Sequence, residues 1–182
     1  PVGVTASSYY PGWGEPGALI DGSGLTGGTG REATHTNAND VMYLLWHSDG
    51  NGVAGQWVEF DLGAAYDVAN ALVWQLAQKN LTARGVEYFT ISVAGTNQVF
   101  STYAIGKRLN IATGAVQEPV QVVPLAARDV RYIRFTIQSN YGDQFVGLSE
   151  VRFEGVLSEP EPLNMIQPVG ATASSTWPAG IW

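Results

Sequence analysis

Two histidines and a scatter of carboxylates are the side chains here with which bond-making chemistry could be done. Cysteine is absent, which removes thiolate nucleophiles, thiolate metal sites and disulfide frameworks together. His35, in Ala33-Thr34-His35-Thr36-Asn37, has no regular spacing to His47, and two histidines without a third ligand do not make a transition-metal site. Both are therefore expected to be solvated loop residues. Glu15, Asp40, Asp49 and Asp143 would serve a glycosidase only if two of them faced each other across a cleft with split pKa values. A chain of short loops offers no such cleft, so no enzyme is expected. Gly22-Ser23-Gly24-Leu25-Thr26-Gly27 satisfies the spacing of a dinucleotide-binding loop. No amphipathic helix follows to present its N-terminus to a phosphate, and a flexible turn is the expectation. Asn80-Leu81-Thr82 matches an N-glycosylation acceptor pattern.

The elements that position these residues read as strands. Ile133, Phe135 and Ile137 alternate with Arg134 and Thr136, which puts the first set inward and the second outward on a half-buried strand. Similar strands are expected at 56–62, 68–75, 86–93, 120–125 and 148–154. Turn signals separate them at Leu62-Gly63, Ala94-Gly95-Thr96-Asn97 and Thr113-Gly114. Trp57, with Phe60 and Leu62 behind it, is expected in the core because of its large apolar area. No stretch shows a helical period over three turns. The fold class is all-β and antiparallel, with two packed sheets burying the inward faces.

Composition supports this. With 182 residues, 45% hydrophobic and 14% charged, the chain can bury a core and is not disordered. Its 22 glycines and 9 prolines suit many short strands and tight turns. A net charge of -7 with only 9 Lys and Arg argues against nucleic acid. No apolar run reaches the roughly 18 residues of a membrane span. The chain starts at Pro1 without an initiator Met, as expected of a piece of a longer polypeptide. Pro1–Ser8 recurs as Pro168–Ser175 with a single change, Val4 against Ala171, which predicts tandem copies of one module. The expected layout is a domain over 1–156, a proline- and acid-rich linker over 157–167, and the truncated start of a second copy over 168–182. The last segment carries Trp177, Ile181 and Trp182, which could pair with a sheet edge of a neighbouring molecule.

Five short signatures in register resemble the discoidin family, also called coagulation factor type C domains, which includes family 32 carbohydrate-binding modules. They are Val4-Thr5-Ala6-Ser7-Ser8, Ala18-Leu19-Ile20-Asp21-Gly22, Gly55-Gln56-Trp57-Val58-Glu59-Phe60-Asp61-Leu62-Gly63, Arg131-Tyr132-Ile133-Arg134-Phe135, and Leu148-Ser149-Glu150-Val151-Arg152-Phe153-Glu154-Gly155. The glycine-rich stretch from Gly27 to about Gly55 is an insertion without a counterpart. The resemblance implies a jelly-roll β-sandwich of the galactose-binding type, with chain ends together and ligand loops at the opposite tip. Those loops would carry Tyr9, Tyr10, Trp13 and Phe145, with His47, Arg84, Asn80 and Tyr141 in the roles of the family's His, Arg, Asn and aromatic. Rings that stack on sugar C–H faces, beside polar groups that reach hydroxyls, suit a carbohydrate. The resemblance also implies a structural Ca2+ near the chain ends. Asp21 and Glu150 would be its side-chain ligands, with carbonyls of Leu19, Ser23 and Ser149 and an oxygen of Thr26. The expected function is a non-catalytic, extracellular glycan-binding module, one of several in a secreted or cell-surface protein. The competing expectation is an adhesive or filament-forming repeat working through protein contacts. Some relatives bind membranes by aromatic spikes, which Tyr9, Tyr10 and Trp13 could mimic, but little positive charge accompanies them.

Overall fold

The computed structural model describes residues 1–37 and 42–158. Asp40, nearly all of the linker and the repeated segment 168–182 lie outside the described residues, as does the self-association expected of that segment. Nine strands are present among the described residues: β1 (Gly3–Ala6), β2 (Leu25–Thr26), β3 (Thr34–Thr36), β4 (Trp46–His47), β5 (Trp57–Gln75), β6 (Val86–Ala94), β7 (Ser101–Arg108), β8 (Gln117–Asn140) and β9 (Gly147–Leu157). All their pairings are antiparallel.

The architecture follows from two long strands that serve both layers of a jelly-roll. β5 runs down from Trp57 to Asp61 beside β1, turns over, and returns from Tyr66 to Gln75 beside β9. β8 follows it antiparallel along its whole length, from Val120 opposite Trp74 to Thr136 opposite Trp57. Register shifts between Asp61 and Asn70 mark the bend. Gly63 sits there at φ +85°, a left-handed conformation that glycine takes without steric cost. The Leu62-Gly63 turn signal is thus the point where β5 folds over without leaving its ladder. The expected strands at 56–62 and 68–75 are its two limbs, just as 120–125 and 133–137 are the limbs of β8. One layer is β1, β5, β8, β6 and β7. The other is β2, β3, β8, β5, β9 and β4.

Inward side chains of both layers form one core, with Val58, Phe60, Phe89, Ile91, Ile133, Phe135, Ile137, Leu148 and Val151 at its centre. The alternation read at 133–137 is realised there. Trp57 is not part of this core. It is half-buried, with the Arg134 guanidinium 4.8 Å from its ring. It alternates outward because its neighbours Val58 and Phe60 point in. The buried tryptophans are Trp46 and Trp74. Trp46 Nε1 donates to the Ser8 carbonyl at 3.0 Å and Trp74 Nε1 to the Ala33 carbonyl at 3.0 Å. Trp74 thereby ties the insertion, which contributes β3 and β4, to the second layer.

The bend of β5 brings the described ends together: Val2 N–H donates to Asp61 O and Ser158 N–H to Ala65 O. The opposite tip gathers the turn-forming segment after β1, β4, the start of β6 and the β8–β9 connection.

Candidate functional site

At the tip, His47 is the residue around which the others are placed. It is the last residue of β4, paired with Gly147 of β9, and it is buried. The loop after β1 lies directly on it: Tyr10 N–H donates to His47 O, and His47 N–H donates to Gly14 O. Only a glycine permits that approach, since a Cβ on Gly14 would stand 2.5 Å from His47 Cβ. This contact sets Tyr10 and Trp13 at the rim, where Trp13 is 54% exposed.

Arg84 approaches from the other side, at the end of a short 3-10 turn over Thr82–Arg84. Its Nε donates to Asp143 Oδ2 at 3.1 Å, its Nη1 lies 3.2 Å from His47 Nε2, and its guanidinium stands 4.6 Å from the Phe145 ring centroid. Phe145 also faces the His47 ring at 5.1 Å and the Tyr10 ring edge-on at 6.2 Å. The Asp143 carboxylate accepts from the Phe145 amide as well, and Asn140 Nδ2 donates to the carbonyls of Asp143 and Phe145. One carboxylate therefore holds both the cation and the ring.

Burial, helped by the Arg84 charge, lowers the His47 pKa to about 4. The ring is neutral and accepts from Arg84 on Nε2, which leaves its proton on Nδ1, a buried atom without a hydrogen-bond partner among the described residues. Burial works to raise Asp143, but the Phe145 amide and Arg84 outweigh it and hold the carboxyl below its usual range. A cleft of about 300 Å³ opens here, lined by Tyr10, Trp13, Met42, His47, Arg84 and Phe145.

Of the residues expected at a ligand site, the fold thus joins Tyr10, Trp13, His47, Arg84 and Phe145. Tyr9 is exposed outside the cleft lining. Asn80 is exposed with φ 66° in the turn before Arg84. Tyr141 acts as a strap: its hydroxyl donates to Leu109 O and its amide to Ala83 O. Met42 and Asp143 join unforeseen. Met42 sits in the glycine-rich insertion with no periodic signal around it, and Asp143 in the sequence carries only the signal of a carboxylate. Arg84 holds its loop through the Asp143 carboxylate and the His47 imidazole. Neither histidine is solvated, because both are buried.

The residues expected around Ca2+ form a second cluster, where the Asp21–Gly24 turn meets β3 and β9. Glu150 is fully buried, and burial pushes its carboxyl up to about 7 against the opposing pull of Arg152 and the Gly22 amide. Its Oε2 accepts from Gly22 N–H at 3.2 Å, and its Oε1 lies 2.8 Å from Arg152 Nη2. Asp21 Oδ1 accepts from Ser23 N–H, and His35 Nε2 lies 3.1 Å from the Ser23 carbonyl. Thr26 is exposed on β2 opposite Thr34, Leu19 is buried in the core, and the Ser149 hydroxyl accepts from Ala77 N–H. Ca2+ takes six to eight oxygens at roughly 2.3–2.6 Å. Ser23 Oγ and Glu150 Oε1 are both buried without a hydrogen-bond partner among the described residues, the latter within ion-pair distance of Arg152. No group of three or more His, Asp or Glu side chains among the described residues is arranged to hold a metal. The two carboxylates present, Asp21 and Glu150, already face the Ser23 amide and the Gly22 amide with Arg152.

Comparison with known proteins follows this geometry. The family described as F5/8 type C domain matches residues 3–151. Among solved structures, the CpGH89CBM32-5 module of Clostridium perfringens, in complex with GalNAc-β-1,3-galactose, is similar with a TM-score of 0.61 at 15% identity, covering 86% of this chain and 94% of its own. The CBM32 of AlyQ in complex with 4,5-unsaturated mannuronic acid gives 0.56 at 24% identity, covering 84% and 94%. The family 32 module of C. perfringens NanJ in complex with galactose gives 0.58 at 18%, covering 83% and 91%. No curated protein sequence matches. The jelly-roll architecture and the match across most of its length agree, and this chain belongs to the F5/8 type C, or discoidin, domain family.

Proposed function

We propose that this chain is a non-catalytic carbohydrate-binding module that holds a glycan in the tip cleft. The observation that carries this reading is the pairing, in one cleft, of exposed rings on Tyr10 and Trp13 with a fixed Arg84–His47 pair. Rings at a rim offer stacking surface to the C–H face of a sugar, and Arg84 and His47 supply oriented polar groups for its hydroxyls. The structures named above hold glycans on the same fold, which supports the same use here.

Turnover is not part of this reading. Hydrolysis by the two-carboxylate route needs a pair of carboxyl groups about 5–9.5 Å apart across the bond to be cleaved. No carboxylate lines the cleft among the described residues, and the adjoining Asp143 is committed to Arg84 and the Phe145 amide. The setting consistent with glycan binding is extracellular, as part of a secreted or surface protein. No described helix is long and apolar enough to cross a membrane. The near-identity of Pro1–Ser8 and Pro168–Ser175 fits a string of modules whose linked weak sites gain avidity.

Titration calorimetry with galactosides, mannuronate oligosaccharides and neutral polysaccharides tests the reading. At least one glycan is expected to bind, with Trp13→Ala and Arg84→Met each weakening it at least tenfold and with the melting temperature of Trp13→Ala close to wild type. Absence of binding across the panel, or binding unmoved by both substitutions, overturns it.

A further inference from the structure

The Asp21–Gly24 turn is gripped from two sides by nitrogen-bearing side chains of other elements. From β9 comes Arg152, whose Nη2 lies 2.8 Å from Glu150 Oε1. From β3, within the insertion, comes the fully buried His35, whose Nε2 lies 3.1 Å from the Ser23 carbonyl and whose Nδ1 lies 3.0 Å from Thr36 O.

The turn is shaped to receive them. A Cβ on Gly22 would stand 2.9 Å from Arg152 Nη2, and one on Gly24 would stand 2.6 Å from the His35 ring. Both glycines have positive φ, at +76° and +84°. The Asp-Gly-Ser-Gly sequence therefore does two things at once: it makes the tight turn and leaves room for a guanidinium and an imidazole against its backbone.

We propose that the place of the family's Ca2+ is filled in this chain by its own side chains, Arg152 and His35, so that the fold is independent of metal. A buried carboxylate such as Glu150 requires a positive partner or neutralisation. Arg152 supplies that partner as an ion pair from two residues along the same strand. A carbonyl turned toward a cation requires a donor or an ion, and the His35 ring lies against the Ser23 carbonyl. A metal ion entering here would have to displace the ring and lie beside a guanidinium of like charge, which disfavours its binding. The insertion that sets this chain apart from the family pattern is the segment that brings the ring in.

The test compares thermal unfolding of the purified chain in EDTA and in about 10 mM CaCl2, enough to fill a site of even about 1 mM affinity. The expected melting temperatures agree within about 1 °C, whereas a filled site would raise the value by several degrees. Calorimetric titration with CaCl2 is expected to give only heats of dilution. In EDTA, Arg152→Met is expected to melt lower than wild type and Arg152→Lys to recover part of the loss. A calcium-dependent rise in wild type, a saturable calcium heat, or an Arg152→Met variant that melts like wild type in EDTA would each overturn the proposal. If Arg152→Met fails to fold, the wild-type comparison alone decides. Its failure is separable from that of the glycan reading, because sugar titration in EDTA reports on the tip and not on this turn.

Discussion

His47 is neutral down to about pH 4 in the folded chain, while an unperturbed imidazole titrates near 6.5. Between those values the unfolded chain binds the proton and the folded chain does not. Stability from this group is therefore complete above about pH 6.5 and is lost as pH falls toward 4, on the order of 3 kcal/mol across the window. Arg84 and Asp143 face the ring and set this behaviour together with burial. Melting curves taken from neutral to about pH 4 should fall more steeply for wild type than for His47→Gln, and equal slopes would contradict the assignment. The same residue shows what one sequence can disclose about a site. The resemblance assigns His47 and Arg84 to the family's His and Arg roles, and the fold sets them side by side. Tyr141 is assigned on the same grounds, yet its hydroxyl is spent on the Leu109 carbonyl. Nothing in residue type distinguishes a ring that waits for a ligand from one that straps two loops.

At the scale of elements, legibility follows periodicity. β8 is readable because inward and outward residues alternate along it, as at Ile133, Phe135 and Ile137, whereas the second limb of β5 and the first half of β9 read as apolar runs buried on both faces. β7 was not readable. It is an edge strand paired only with β6, and most of its residues are exposed, so its composition carries no inward face. The insertion escaped for a related reason: β3 and β4 have three and two residues, too few for a period. Trp57 lies on the outer face despite its size, because one position of shift along a strand exchanges its two faces. The loop after β1 gives the sharpest test at this scale. Gly14→Ala places a methyl 2.5 Å from His47 Cβ, which should push the loop away at a cost of about 1–3 kcal/mol. Glycan affinity should drop even though neither Tyr10 nor Trp13 has been changed, and an unaltered dissociation constant would refute this coupling.

For the molecule as a whole, the main core cluster draws on both layers. The acidic balance of -7 leaves the module poorly suited to polyanionic surfaces, a trait that bears on solubility and partner choice rather than fold. Because β5 and β8 each cross from one layer to the other at the base, neither sheet owns a complete set of strands. Pulling the layers apart would mean breaking the same two chains in both, so partial opening gains little entropy before every ladder is lost. Denaturant titrations followed by tryptophan emission and by far-ultraviolet dichroism should superimpose on one transition, and separated midpoints would show that the halves melt independently. A sugar held at the tip would then brace a unit that has no weaker half to yield first, and a pull applied at its adjoining ends would meet a single mechanical link.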